Sequence, residues 1–152
     1  MAIEYQLTLA GDVPVERVAN LAAPEATEQP TDAGRPRLFR ADLDERHGYA
    51  VAVYSGSNGY YDAEDDDGSQ WEWEPDQYVN ISFRMRKNQP SEAGVRNMVT
   101  AVARVLASRS EDAALMLDGN WLLLTRVNGI LRKHRPSWWE HYDVADILTE
   151  QA

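Results

Sequence analysis

Val79, Ile81, Phe83 and Met85 alternate without a break with Asn80, Ser82, Arg84 and Arg86. A period of two puts every apolar side chain on one side of an extended backbone, whereas a helix would scatter them around its circumference. This strand restricts the chain to folds built on a sheet. One face of that sheet is apolar, and the other, polar and partly cationic, is expected to be solvated.

The rest of the chain can be set around this strand. Ile3, Tyr5, Leu7 and Leu9 form a second alternating strand. Asp12 is expected to cap a short helix with Pro14 in its first turn and Val15, Val18 and Leu21 or Ala22 on its inner face. Pro24, Pro30 and Pro36 mark the segment from Ala23 to Arg37 as a mobile surface loop. Leu38 to Leu43 and Tyr49 to Tyr54 read as strands. Asn58-Gly59 is a hairpin-turn signal that predicts a returning strand from Tyr60 to Glu64. Pro90-Ser91 opens the longest helix, with Ser91 as cap and Glu92 at the positive end of the helix dipole. Its stripe is Val95, Met98, Val99, Val102, Val105 and Leu106. Asp118-Gly119 and Asn128-Gly129 divide a three-strand meander, Ala114 to Leu117, Trp121 to Val127 and Ile130 to His134. Pro136-Ser137 starts a last helix carrying Trp138 and Trp139. The expected fold class is α+β, a single two-layer domain over residues 1–152. In it an antiparallel sheet of about six to seven strands carries two or three helices packed on one face.

Composition narrows function. The 152 residues carry a formal net charge of −10 and are 43% hydrophobic, enough for a real core. Phosphate and anionic lipid would both be repelled, so nucleic acid and membrane surfaces are not the expected partners. Cysteine is absent from the sequence, which removes disulfides, thiolate nucleophiles and Cys-based metal sites. Glu4 stands where a signal peptide needs a basic start, and no apolar run approaches the ~18 residues of a membrane span. The expected address is the cytoplasm.

The stretch before the defining strand holds the densest charge. Asp62, Glu64, Asp65, Asp66, Asp67, Glu72, Glu74 and Asp76 occur with no Lys or Arg among them, and Trp71 and Trp73 lie inside the run. On a strand Glu72 and Glu74 share one face and Trp71 and Trp73 the other. One reading is structural, with tryptophans on the core and acids in water. The other is a partner-binding surface of Asp65, Asp66, Asp67, Trp71, Glu72, Trp73 and Glu74, with Trp138 or Trp139 as a further contact. Arg84, Arg86 and Lys87 are placed to soften the field by pairing with these acids.

Catalytic chemistry has few footholds. The histidines are His47, His134 and His141, and none shows the i, i+4 spacing of a helical metal pair. Asp65-Asp66-Asp67-Gly68-Ser69 lacks the ligand order of a calcium loop. Nucleophile-elbow and phosphate-loop glycine patterns are also missing. A protein without catalytic residues, cofactor or metal is therefore expected. Two alternatives stay open. One is a metal-binding or hydrolytic enzyme using the acidic cluster with a histidine. The other is a small-ligand module with an apolar cavity lined by Trp121 and Trp138.

IEYQLTLAGD at the start, WEWEPDQYVNISFRM in the middle, GVRNMVTAVARVL, DAALMLDGNWLLLTR and the closing RPSWWEHY together resemble the Sit-type bacterial immunity proteins, which protect against a swarming-inhibition toxin carried by kin. The resemblance spans nearly the full length and rests on packing and turn patterns. It implies a cytoplasmic, non-enzymatic protein that binds and neutralises one cognate protein toxin, and it supplies no catalytic residues. A toxin that attacks nucleic acid is often basic, and an acidic inhibitor would steer towards it.

Overall fold

In the computed structural model residues 2–86 and 92–148 are described. Pro90 and Ser91, expected to open the long helix, and Lys87 lie outside them. The strands are β1 Ala2–Ala10, β2 Thr27–Gln29, β3 Leu38–Leu43, β4 Tyr49–Ser57, β5 Tyr61–Glu64, β6 Gln70–Trp73, β7 Gln77–Arg86, β8 Ala113–Leu117, β9 Trp121–Val127 and β10 Ile130–Lys133. The helices are α1 Val15–Ala22, α2 Glu92–Ser108 and α3 Pro136–His141.

The alternating strand is β7, and it sits inside the sheet between β4 and β1, antiparallel to both. Register aligns its apolar residues in rows. Val51, Phe83 and Tyr5 form one row; Val53, Ile81, Leu7 and Leu115 form the next. The stripe of α2 and the inner residues Val15, Val18, Ala19 and Ala22 of α1 join the same cluster. Burying Phe83 there stabilises by roughly 2–3 kcal/mol. Two arginines close the helices. Arg104 donates to the carbonyls of Leu21 and Ala22 at the end of α1, and Arg126 to that of Leu106 in the last turn of α2.

The expected fold class is overturned. The protein is mostly β, with ten strands in the order β2-β3-β4-β7-β1-β8-β9-β5-β6 and β10 added beside β9, against helices of eight, seventeen and six residues. A six-to-seven-strand sheet with helices on one face undercounts it for two reasons. The proline-marked loop contains β2, paired with β3. The acidic stretch adds β6, paired with β5, the strand expected from Tyr60 to Glu64.

Asn58-Gly59 does not make a β4–β5 hairpin. Asn58 takes a left-handed φ of 54°, but β4 pairs with β3 and β7, whereas β5 pairs with β6 and β9. The chain crosses over after β4, and the ring of Tyr78 lies so close to Gly56 that a Cβ there would stand 2.4 Å from it. The helix start also differs. Pro14, not Asp12, takes the cap position of α1, and no side chain caps it.

The second face stays exposed at Arg84 and Arg86, as expected, but is closed further along the strand. β7 and β5 are four places apart in strand order, roughly 19 Å if the sheet were flat. Yet Asn80 of β7 donates to the Tyr61 hydroxyl of β5 across 3.2 Å. The sheet therefore curls, and the β5–β6 hairpin folds back over its own sheet. Thr8, Asn80 and Ser82, expected to face water, are buried, and the Thr8 hydroxyl donates to Asn80 Oδ1 at 2.6 Å. Beneath the hairpin, Ala63, Ala114, Met116 and Leu122 form a second cluster, with Tyr61, Trp71 and Trp73 packed against it. A bulge between Leu115 and Met116 lets β9 serve both cores, sending Leu122 to this cluster while Leu123 and Leu124 face the main one.

Candidate functional site

The β5–β6 hairpin has two unlike sides. Tyr61, Ala63, Trp71 and Trp73 point to the second core, and the tryptophan rings lie 5.8 Å apart. Asp62, Glu64, Gln70, Glu72 and Glu74 are exposed on the other side. Asp62 stands directly opposite Glu72, and Glu64 opposite Gln70. Tyr60, 55% exposed, adjoins Glu72, Asp62 and Glu74, whose charges raise its hydroxyl above the ordinary tyrosine value, Glu72 most strongly. Glu64 bridges in parallel to Trp121, so those side chains share a side of the sheet. Trp121 is 45% exposed and carries the Arg135 guanidinium 4.3 Å above its ring. The result is a strip of four carboxylates with Tyr60 at one end and Trp121 at the other.

Arg135 touches this strip at its Trp121 end, but through the Glu64 carbonyl rather than a carboxylate. Arg86 pairs with Asp44, Arg37 with Glu28 and Glu16, and Arg109 with Glu111. Among the described residues Asp62, Glu64, Glu72 and Glu74 form no ion pair. The expected softening by Arg84 and Arg86 does not occur, because β7 lies inside the sheet and Arg86 turns to the β3–β4 turn.

The neighbouring acids behave differently. Asp65 Oδ1 accepts a hydrogen bond from His134 Nδ1 at 2.7 Å, and Asp66 Oδ1 accepts the Arg135 N–H at 2.6 Å. Burial pushes the Asp65 carboxyl up, but the Asp66 N–H and His134 outweigh it and hold it below the usual carboxylate range. Asp67 is exposed, and its carboxylate accepts the Ser69 N–H. Asp65, Asp66 and His134 are also the donor set that could hold a metal, with ligand atoms within 4.8 Å of one another. An ion there would have to displace both hydrogen bonds, beside the Arg135 cation.

His134 is 4% exposed, and Thr125 Oγ1 lies 3.0 Å from its Nε2. Hydroxyl, imidazole and carboxylate thus stand in the order of an acyl-transfer triad. Thr125, however, is 7% exposed and faces the packed interior rather than a cleft. His47 bonds Glu25 at 3.3 Å, and His141 is exposed beside Tyr142.

The structure separates the residues singled out from sequence. Glu72 and Glu74 join the strip, Asp67 is exposed at the hairpin turn, and Asp65 and Asp66 are tied to His134 and Arg135. Trp71 and Trp73 are half-buried on the underside. Trp139 is 1% exposed, its indole N–H bonded to the carbonyls of Leu123 and His134, so no partner can reach it. Trp138 is half-buried among Tyr5, Trp139 and Tyr142. Its surroundings differ from those of Trp121, with which it was expected to line a cavity. Tyr60 and Trp121 are the exposed aromatics that sequence reading left out of the contact set. A place at the start of β9, two residues after Gly119, is a weak signal for Trp121.

Fold and site define a curled, mostly β protein with an exposed acidic strip between two exposed aromatic rings. The chain belongs to the SitI3-like family, whose model matches residues 3–143. That membership suggests a toxin-immunity role. No curated protein and no solved structure matches the chain. No helix among the described residues is long and apolar enough to cross a membrane.

Proposed function

We propose that this protein is a cytoplasmic immunity protein that neutralises a cognate toxin by docking onto it through the outer side of the β5–β6 hairpin. The observation that carries the reading is the strip of Asp62, Glu64, Glu72 and Glu74, which among the described residues form no ion pair, on a hairpin whose other side packs on the second cluster. Such a strip attracts a cationic surface at long range and speeds encounter. Tyr60 and Trp121 at its ends are exposed in the free protein and supply aromatic anchors of the kind that dominate interface energetics once a partner buries them. Trp71 and Trp73 support the strip from below, and Asp67 extends it at the hairpin turn. The toxin's basic active surface would be covered by the docked protein, so inhibition is by occlusion. Co-expression with a toxin domain sought among the genes adjacent to its own tests this. Wild-type protein should co-purify with the toxin and protect cells, and Glu72→Lys combined with Asp62→Lys should abolish both. Full protection by that double variant would remove the proposal.

A further inference from the structure

We infer that Asp65 and Asp66 are positioning residues of the docking face rather than contacts, latching the β5–β6 turn to the β10–α3 junction through His134 and Arg135. The inference rests on the docking reading above. It begins from how weakly the hairpin is otherwise located. Its strands have four residues each, and a single bridge, Glu64 to Trp121, joins it to the next strand. An isolated two-stranded hairpin is marginal in water. Its underside adheres mainly through aromatic rings, and apolar adhesion is non-directional; the directional contacts beneath it, between the Tyr61 hydroxyl and Asn80, lie at the end away from the turn and leave the turn end to be placed.

Direction comes from the turn end. His134 to Asp65, the Arg135 N–H to Asp66, Arg135 Nη2 to the Glu64 carbonyl at 3.1 Å, and the Glu64 N–H to the Asn120 carbonyl at 2.8 Å all act within three hairpin residues. Two of the four involve a carboxylate and are charge-assisted. The receiving side is rigid. His134 is buried and held at its other nitrogen by Thr125, and its carbonyl takes the Trp139 indole N–H. Arg135 has a left-handed φ of 57°, a conformation a non-glycine residue keeps only where its surroundings over-determine it. Asp66 is the group that accepts its N–H. The guanidinium of the same residue reaches the Glu64 carbonyl and lies over Trp121, so the latch orients acid strip and aromatic anchor together.

The test uses full-length protein carrying Asp65→Ala and Asp66→Ala. Amide hydrogen exchange is followed in β5 and β6, with β1 and β7 as internal controls, and binding to the neighbouring toxin domain is measured at two salt concentrations. The expected result is exchange roughly tenfold or more faster in the hairpin only, since each charge-assisted bond is worth about that factor. Toxin affinity should fall by roughly tenfold, with a salt dependence close to wild type. Unchanged hairpin exchange overturns the inference, and so does a loosened hairpin that binds at full strength. If Glu72→Lys also leaves binding intact, the docking reading fails as well. Should the double variant not fold, Asp66→Ala alone carries the same readouts.

Discussion

Glu72→Lys should make this protein more stable and less functional at once. In the hairpin Asp62 and Glu72 face each other across the strands, two like charges where sheets favour opposite ones. At a separation of ~5.5 Å in water two unit charges repel by about 0.8 kcal/mol. Lysine at position 72 replaces that repulsion with attraction. Measured cross-strand pairs are worth about 0.2–1 kcal/mol, so a net gain of about 0.5–1 kcal/mol is expected. For a chain of this length that is roughly 1–4 °C in Tm. The gain is electrostatic and exposed, so it should be largest at low ionic strength and vanish near 1 M salt, where the Debye length is about 3 Å. Thermal unfolding at low and high salt measures it. Toxin affinity, measured in parallel, should drop by roughly tenfold or more, chiefly through slower association. A variant less stable at low salt, or a gain indifferent to salt, would refute the geometry of the strip. Unchanged toxin binding would refute its purpose.

Three further expectations concern the fold that holds the strip. Native Asp65 binds its proton less readily than the unfolded chain, so the stability it contributes is complete above about pH 4 and declines as pH falls through its lowered native value; urea midpoints across pH 2–6 should show this acid loss flattened in Asp65→Ala. Gly56→Ala forces a Cβ into the ring of Tyr78, which packs edge-on against Tyr61. It should cost about 1–3 kcal/mol in chemical denaturation, with β5 amides exchanging faster. Phe83→Ala removes a ring at the centre of the main cluster and should cost about 3–5 kcal/mol by the same assay.

What could be read from sequence was whatever the chain states locally. β1, β7 and the β8–β10 meander follow from strict alternation and from turn dipeptides. Asp118-Gly119 and Asn128-Gly129 do adopt positive φ throughout, as tight hairpins need. Asn58-Gly59 carries the same signal and fails as a hairpin, because β4 gains more by pairing along eight residues with β7 than by returning on itself. The polar residues of β7 looked solvated because nothing local says that a distant hairpin will cover them. The latch was equally hidden, since Asp65 and His134 are 69 residues apart and neither lies in a recognisable motif. Strand alternation put Glu72 and Glu74 on one side and Trp71 and Trp73 on the other, but it left open which side meets water, and the expected contact set included both tryptophans. Which of the tryptophans stays open was not legible, because Trp121 owes its exposure to the curl of the sheet.

The acidic stretch, continuous in sequence, is thus two functional sets in space. Asp65 and Asp66 are closed by the protein's own His134 and Arg135, and their charge is spent holding a turn in place. Among the described residues Asp62, Glu64, Glu72 and Glu74 are left without an ion pair. A sheet shaped only for stability would not set Asp62 against Glu72 while Arg86 reaches away to Asp44. Proteins keep such uncompensated features where activity needs them, at some cost in stability. The opposed pair therefore argues for a partner more strongly than the net charge of −10 does, because net charge serves solubility wherever it is placed. On the docking reading proposed above, the opposed like charges of the hairpin are kept for a partner.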